Sequence, residues 1–352
     1  MLQTVEDILV LMNREGASDV VFVPGSPAVM WVQGTMRRID ELILDDGIIG
    51  RLFLPAMTDN QRQRLTDQGD SDYSVGRPGV GRMRINIHRQ RNSLSVATRF
   101  IPHEVPIFEQ LKLPGRVLDF ADLPRGIVMV TGGAGAGKST TLAAMIEHMN
   151  RTYGYHIITL EDPVEFMFTH RNSVIEQRQI GDDCPSFSSA LRHIVRQRPD
   201  VILVGEMRDL ETISAALTAA EMGHLVLASL HTLSAVETIN RVIDVFPANQ
   251  QNQIRVQLAG TLQGVLAQTL FADATDGGRI PACEIMIPTS GIRRAIRDNE
   301  VHLVPGMIET GRTSGMQLMD TAIADLIASG HITLADGLAK AHNPDKLAKM
   351  VA

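Results

Sequence analysis

The run Thr131-Gly132-Gly133-Ala134-Gly135-Ala136-Gly137-Lys138-Ser139-Thr140 limits what this chain can become more than any other stretch. It satisfies G-x-x-x-x-G-K-[ST], follows the apolar run Ile127-Val128-Met129-Val130, and opens into a segment with Leu142, Met145, Ile146 and Met149 at helical spacing. Strand, glycine loop and helix in that order describe a phosphate cradle. Gly132, Gly133, Ala134, Gly135, Ala136 and Gly137 let successive backbone N–H groups turn inward, and the N-terminus of the helix at Thr140 adds partial positive charge. Lys138 reaches the β- and γ-phosphates of a nucleotide such as ATP, and the Ser139 hydroxyl is offered to Mg²⁺. The chain is expected to bind both.

With 352 residues there is room for about two domains, each with its own core. A net charge of −7 argues against a general nucleic-acid binder, which needs a basic face to displace counterions. No apolar run approaches the 18 or so residues of a membrane span. Val5, Ile8, Leu9 and Met12 alternate with Glu6 and Asp7 as in an amphipathic helix, without a basic secretory leader, so a cytoplasmic protein is expected. Cys184 and Cys283 are too few for a four-thiolate zinc site and read as reduced, packed thiols.

The first hundred residues mix helix and strand. Val20 to Val23 and Val29 to Val32, separated by Pro24-Gly25-Ser26-Pro27, predict short antiparallel strands, and Ile48 to Leu65 predicts helix divided at Pro55. Arg82-Met83-Arg84-Ile85-Asn86-Ile87-His88 alternates strictly, which places Arg82, Arg84 and His88 on one face of a strand. Leu94 to Ile101, carrying Arg99, supplies its partner, with Arg89 and Arg91 in the connection. This face is either a solvated surface or a set of arginines offered to phosphate. Pro102, Pro106, Pro114 and Pro124 then punctuate the chain, so residues 1–100 form an N-terminal domain, 101–120 a linker and 121–352 a second domain.

In the second domain four apolar runs end in residues suited to phosphate chemistry. Ile127 to Thr131 meets the glycine loop, His156 to Leu160 meets Glu161-Asp162-Pro163, Val201 to Val204 meets Gly205-Glu206, and Leu225 to Leu230 meets His231-Thr232. Continuous apolar strands separated by helices imply an α/β fold with a parallel sheet buried on both faces and a ligand at the strands' carboxyl ends. Helices are expected over Ser189 to Gln197, Glu211 to Met222, from Ser234 to a point before Pro247, and Gln250 to Leu270, then in a small cluster over Gly291 to Arg297, Met316 to Ile327 and Leu334 to His342.

Phosphoryl transfer to water needs a positioned nucleophile and neutralised charge. Glu206 is the candidate for orienting and deprotonating the water; Glu161 could do so instead, or help hold Mg²⁺ through water. Either acid could simply cap its turn. His231, at a strand end beside the expected γ-phosphate, is a candidate sensor or ligand of that group, and His224, before the same strand, a weaker one.

These residues also carry a resemblance. Gly132 to Thr141, Ile158 to Phe166, Arg198 to Asp209 and Thr218 to Thr232 resemble the Walker A, Asp-box, Walker B and His-box motifs of secretion ATPases, most closely the type IV pilus retraction ATPases of the PilT family. The similarity covers nearly the whole chain. It implies a homo-hexamer whose subunits have a RecA-like P-loop ATPase domain and a smaller N-terminal α+β PAS-like domain. It also implies ATP hydrolysis coupled to pilus retraction and twitching motility, at the inner face of the cytoplasmic membrane. Contact with the membrane machinery would be peripheral, through an inner-membrane pilus platform protein, with a related motor ATPase as a further partner. By the same resemblance, arginines of the N-terminal domain reach the nucleotide, and Arg84 and Arg99 fit that pattern best, ahead of Arg82.

Three departures stand out. Gly133, Ala134 and Ala136 replace the usual proline, threonine and serine of the loop; Leu233 follows His231-Thr232 where threonine is common; and Gly291 to Arg297 varies the family's Ala-Ile-Arg-Asn-Leu-Ile-Arg helix. Competing readings are an accessory nucleotide-binding subunit of a pilus motor, and a type II secretion or pilus assembly ATPase. Assembly motors of this superfamily usually carry a four-cysteine zinc element, which two cysteines cannot supply. A nucleic-acid motor on the same core is disfavoured by the acidic balance.

Overall fold

A computed structural model of the chain describes residues 3–32, 34–77, 79–102 and 105–351. Two compact units divide it, one of residues 1–105 with Glu165–Met167, the other of 106–164 and 168–352.

In the first unit the Thr4 side chain caps the helix Val5–Glu15, and Val5, Ile8, Leu9 and Met12 form its buried stripe. Six strands follow: β1 (Ala17–Phe22), β2 (Val29–Val32), β3 (Thr35–Arg38), β4 (Asp70–Arg77), β5 (Gly81–Gln90) and β6 (Ser93–Pro102). They pair antiparallel in the order β3-β2-β1-β6-β5-β4. Alternation along β5 turns Met83, Ile85 and Ile87 into the core at 0% exposure, which leaves Arg82 and Arg84 on the opposite face. Between β3 and β4, Pro55 falls in a single 3-10 turn, Leu54–Ala56, that divides the helices Asp46–Phe53 and Asp59–Gln68.

The second unit is a seven-stranded sheet: β7 (Gly126–Thr131), β8 (His156–Glu161), β9 (Val174–Gln179), β10 (Val201–Val204), β11 (Leu225–Leu230), β12 (Leu262–Ala272) and β13 (Arg279–Met286). Its order is β13-β12-β7-β11-β10-β8-β9, parallel except for the antiparallel edge β13. Every residue of β7, β10 and β11 is buried. Helix Lys138–Thr152 covers one face through Leu142, Met145, Ile146 and Met149, while Leu210–Glu221 and Ala235–Asp244 cover the other. A buried aliphatic side chain contributes about 1.5–3 kcal/mol, so the sheet is a stiff platform for the loops at its carboxyl edge.

Two expectations are corrected. The helix foreseen over Gln250 to Leu270 ends at Thr261, and the chain enters β12 at Leu262. Pairing with β7 and β13 overrides the helical pattern, and Gly264 is held so close to Phe120 that a Cβ would lie 2.4 Å from its ring. The stretch expected as linker instead belongs partly to the second core, where Phe108, Val117 and Phe120 are buried. Strands β4, β9 and β13 and the helices Val304–Thr310 and Pro344–Val351 were not foreseen. Among the described residues no helix is long and apolar enough to cross a membrane, and both cysteines are free and buried.

Candidate nucleotide site

The site is assembled at the carboxyl ends of β7, β11 and β10, which are neighbours in the sheet. β7 delivers Thr131 into the loop, and Gly132 turns it with φ 144°. A Cβ at Gly132 would sit 2.4 Å from the Gln268 carbonyl oxygen, so only glycine lets the loop lie this close to β12. The Ala136 N–H donates to the Gly133 carbonyl at 3.2 Å, closing the loop, and Gly137 precedes the helix Lys138–Thr152 without a side-chain cap. The first N–H groups of a helix lack intrahelical acceptors, so this uncapped start, with Ser139 and Thr140 in its first turn, is suited to an anion.

Lys138 Nζ donates to the carbonyls of Gly132 and Gly133 at 2.7 and 3.0 Å and lies 3.5 Å from His231 Nδ1. His231 Nε2 is 3.1 Å from Glu206 Oε1. A neutral ring protonated on Nε2 satisfies both neighbours, accepting from Lys138 and donating to Glu206; this tautomer is assigned from the network. Arg208 completes the chain of contacts, its Nε 2.6 Å from Glu206 Oε1 and its Nη2 2.7 Å from Oε2. Burial pushes the Glu206 carboxyl up, but the Arg208 hydrogen bonds, the contact with His231 and the Arg208 charge outweigh it and hold the group below its ordinary value. Glu206 therefore stays ionised near neutrality.

Backbone packing fixes this acid. The Ser229 hydroxyl donates to the Gly205 carbonyl, and the Met207 N–H donates to the Ser229 carbonyl at 3.0 Å. A Cβ at Gly205 would come within 3.0 Å of the Leu160 carbonyl oxygen, so β10 and β8 approach closely just before Glu206.

Glu161 stands differently. It is 8% exposed, accepts from Thr159 Oγ1 at 2.6 Å and Gln177 Nε2 at 3.2 Å, and ends a strand three places from β7. At the usual strand spacing that is roughly 14 Å from the loop, against roughly 10 Å for the strand of Glu206. His224 lies at the opposite, amino end of β11, its Nδ1 2.8 Å from the Pro199 carbonyl oxygen, and is not brought to the loop.

In the first unit Arg84 and Arg99 stand directly opposite one another on β5 and β6. Like charges so placed repel; Asp72, 3.5 Å from Arg84 Nη2, and Asp19, 2.9 Å from Arg99 Nε, offset this. Arg82 is two residues from Arg84 on the same strand face. Sequence reasoning gave Arg208 no role, although its place two residues after a strand-end glutamate was a usable signal.

The family model for type II/IV secretion system proteins matches residues 108–336. The type IV pilus retraction ATPase PilT of Pseudomonas aeruginosa is 42% identical over 341 residues, covering 97% of this chain and 99% of that protein. The chain belongs to the PilT family of secretion ATPases. A twitching motility protein of Neisseria gonorrhoeae is 40% identical over 316 residues, 90% of this chain and 84% of the relative. The crystal structure of the pilus retraction motor PilT with bound ADP matches this secretion ATPase with a TM-score of 0.91 at 40% identity, covering 98% and 99% of the two chains. The second unit is thus a RecA-like P-loop ATPase domain, and the first is its smaller PAS-like companion.

Proposed function

We propose that this chain is the ATP-hydrolysing subunit of a type IV pilus retraction motor. The observation that carries the reading is the run of contacts Lys138–His231–Glu206 at the mouth of the glycine loop. Backbone N–H groups of Gly132 to Thr140 hold the phosphates, and Lys138 exchanges its carbonyl partners for phosphate oxygens. Glu206 orients a water and accepts its proton as the water oxygen attacks the γ-phosphorus and ADP leaves with the bond electrons. Arg208 fixes the direction of that carboxylate, and His231 contacts the γ-phosphate.

When bound, Mg²⁺ neutralises charge on the β- and γ-phosphates. Among the described residues no group of three or more His, Cys, Asp or Glu side chains could hold a metal ion. Ser139 would hold such an ion through its hydroxyl, with phosphate and water as its other ligands, because Mg²⁺ keeps several waters. Arg84 and Arg99, with Arg82 beside them, supply further positive charge to the transferring group.

The working assembly is a homo-hexamer at the cytoplasmic side of the inner membrane, engaging a pilus platform protein peripherally. Steady-state phosphate release from Mg²⁺-ATP tests the chemistry. Lys138→Ala and Glu206→Gln should each lower turnover by on the order of 100-fold or more. Robust turnover in both variants would reject these roles, and an inactive wild type would favour an accessory nucleotide-binding subunit.

A further inference from the structure

Glu284 on β13 is 4% exposed and is not part of the nucleotide site. One carboxyl oxygen accepts the Ala235 N–H at 2.7 Å, and the other accepts the Met319 N–H at 3.3 Å. These are the first residues of two helices, Ala235–Asp244 and Met319–Ala328. The N–H groups at such positions have no intrahelical acceptor, so a single carboxylate serves two helix starts at once.

The Ala235 end leads directly to the site. Between His231 and Ala235 the chain is bound to the helix it enters: Thr232 Oγ1 to Thr238 Oγ1 at 2.7 Å, the Leu233 N–H to Glu237 Oε2 at 2.7 Å, and the Glu237 N–H to Ser234 Oγ at 3.2 Å. A displaced helix start would therefore carry His231 with it. Glu284 also shares a sheet row with the glycine loop. It pairs with Ala267, which pairs with Thr131, so all three project on one face. Across small Ala267, the fully buried Thr131 Oγ1 has no hydrogen-bond partner among the described residues.

We propose that Glu284 is a positioning residue for ATP hydrolysis, tying the loop that carries His231 to the C-terminal helices so that turnover depends on how those helices sit. The proposal rests on the reading of the chain as an ATPase. Glu284→Gln keeps the shape but turns a donor towards one of the two N–H groups. Ala235→Pro removes the donor where the backbone accepts proline, since the first helical position tolerates it and Ser234 already has the extended backbone that precedes one; because Ala235 is buried, the melting temperature of this variant is read alongside its kcat.

The expected result is a kcat lowered by on the order of 10-fold to 100-fold in each variant, as for a small misplacement near the chemistry, with KM for ATP little changed. The double variant should lose no more than either single one. Amide hydrogen exchange should quicken over 231–240 and 319–325 in Glu284→Gln and stay as in the wild type over 138–152. Wild-type kcat in folded Glu284→Gln, or losses that multiply in the double variant, would overturn the proposal. Exchange reads the link without the reaction: unchanged exchange over 231–240 sinks the positioning role by itself, whereas an inactive wild type sinks the ATPase reading.

Discussion

Replacing Gly132 with alanine should damage the protein far more than the same change one residue later. At Gly132 the backbone has φ 144°, and the added Cβ would lie 2.4 Å from the Gln268 carbonyl oxygen and 2.8 Å from the Ala136 Cβ. A non-glycine residue in such backbone costs about 1–3 kcal/mol, and forcing a methyl into filled space about 1–3 kcal/mol more. The sum is about 2–6 kcal/mol, which in a domain of this size lowers Tm by roughly 5–20 °C. Gly135, at φ 73° with open space around it, should lose only the left-handed strain of about 1–2 kcal/mol. Gly133 has neither a left-handed φ nor any atom within 4 Å of the added Cβ, and its alanine variant should stay within about 0.5 kcal/mol of the wild type. Thermal unfolding followed by fluorescence, with Mg²⁺-ATP turnover on the same samples, ranks the three. If Gly132→Ala melts together with Gly133→Ala, the described seating of the loop against β12 is wrong.

Arg208→Ala should raise the Glu206 pKa, since the Arg208 hydrogen bonds and charge pull it down; the acid limb of the kcat profile should then move to higher pH, and an unmoved limb would remove Arg208 from this role. Arg84→Ala and Arg99→Ala should lower ATP turnover while leaving the melting of the first unit nearly unchanged, because these side chains are 43% and 71% exposed and such ion pairs are worth about 0–1 kcal/mol; a matched loss of Tm and turnover would mark them as structural. Asp273 is held well below the usual carboxylate range by its hydrogen bond to Lys112 and then by those to Thr275 and His331. A depressed carboxyl stabilises the fold above its unfolded pKa and loses that contribution as pH falls through its folded one. The stability gap between wild type and Asp273→Asn in urea titrations should therefore be constant near neutrality and close in acid; a gap that widens in acid would contradict the sign.

Strand ends carrying Thr131, Glu206 and His231 were legible because β7, β10 and β11 are buried on both faces and so are written as unbroken apolar runs. Edge strands carry no such signature. Val174–Gln179, at the rim of the sheet, has two apolar residues followed by four polar ones and gives no strand signal. β12 was hidden for another reason: after Ala248–Thr261 its apolar residues continue a helical spacing, and only pairing with β7 decides against helix. The candidate site divides the same way. Lys138 and Ser139 follow from a local motif, whereas the grip of Arg208 on Glu206 and of Glu284 on two helix starts arises from convergence of distant segments.

The carbonyls of Gly132 and Gly133 that receive Lys138 have a consequence for the cycle. They give the ammonium partners within its own loop, so an outgoing phosphate leaves behind a paired cation instead of a bare one. Nucleotide grip is weakened by that competition, a useful bias for a machine that must let product go and reload.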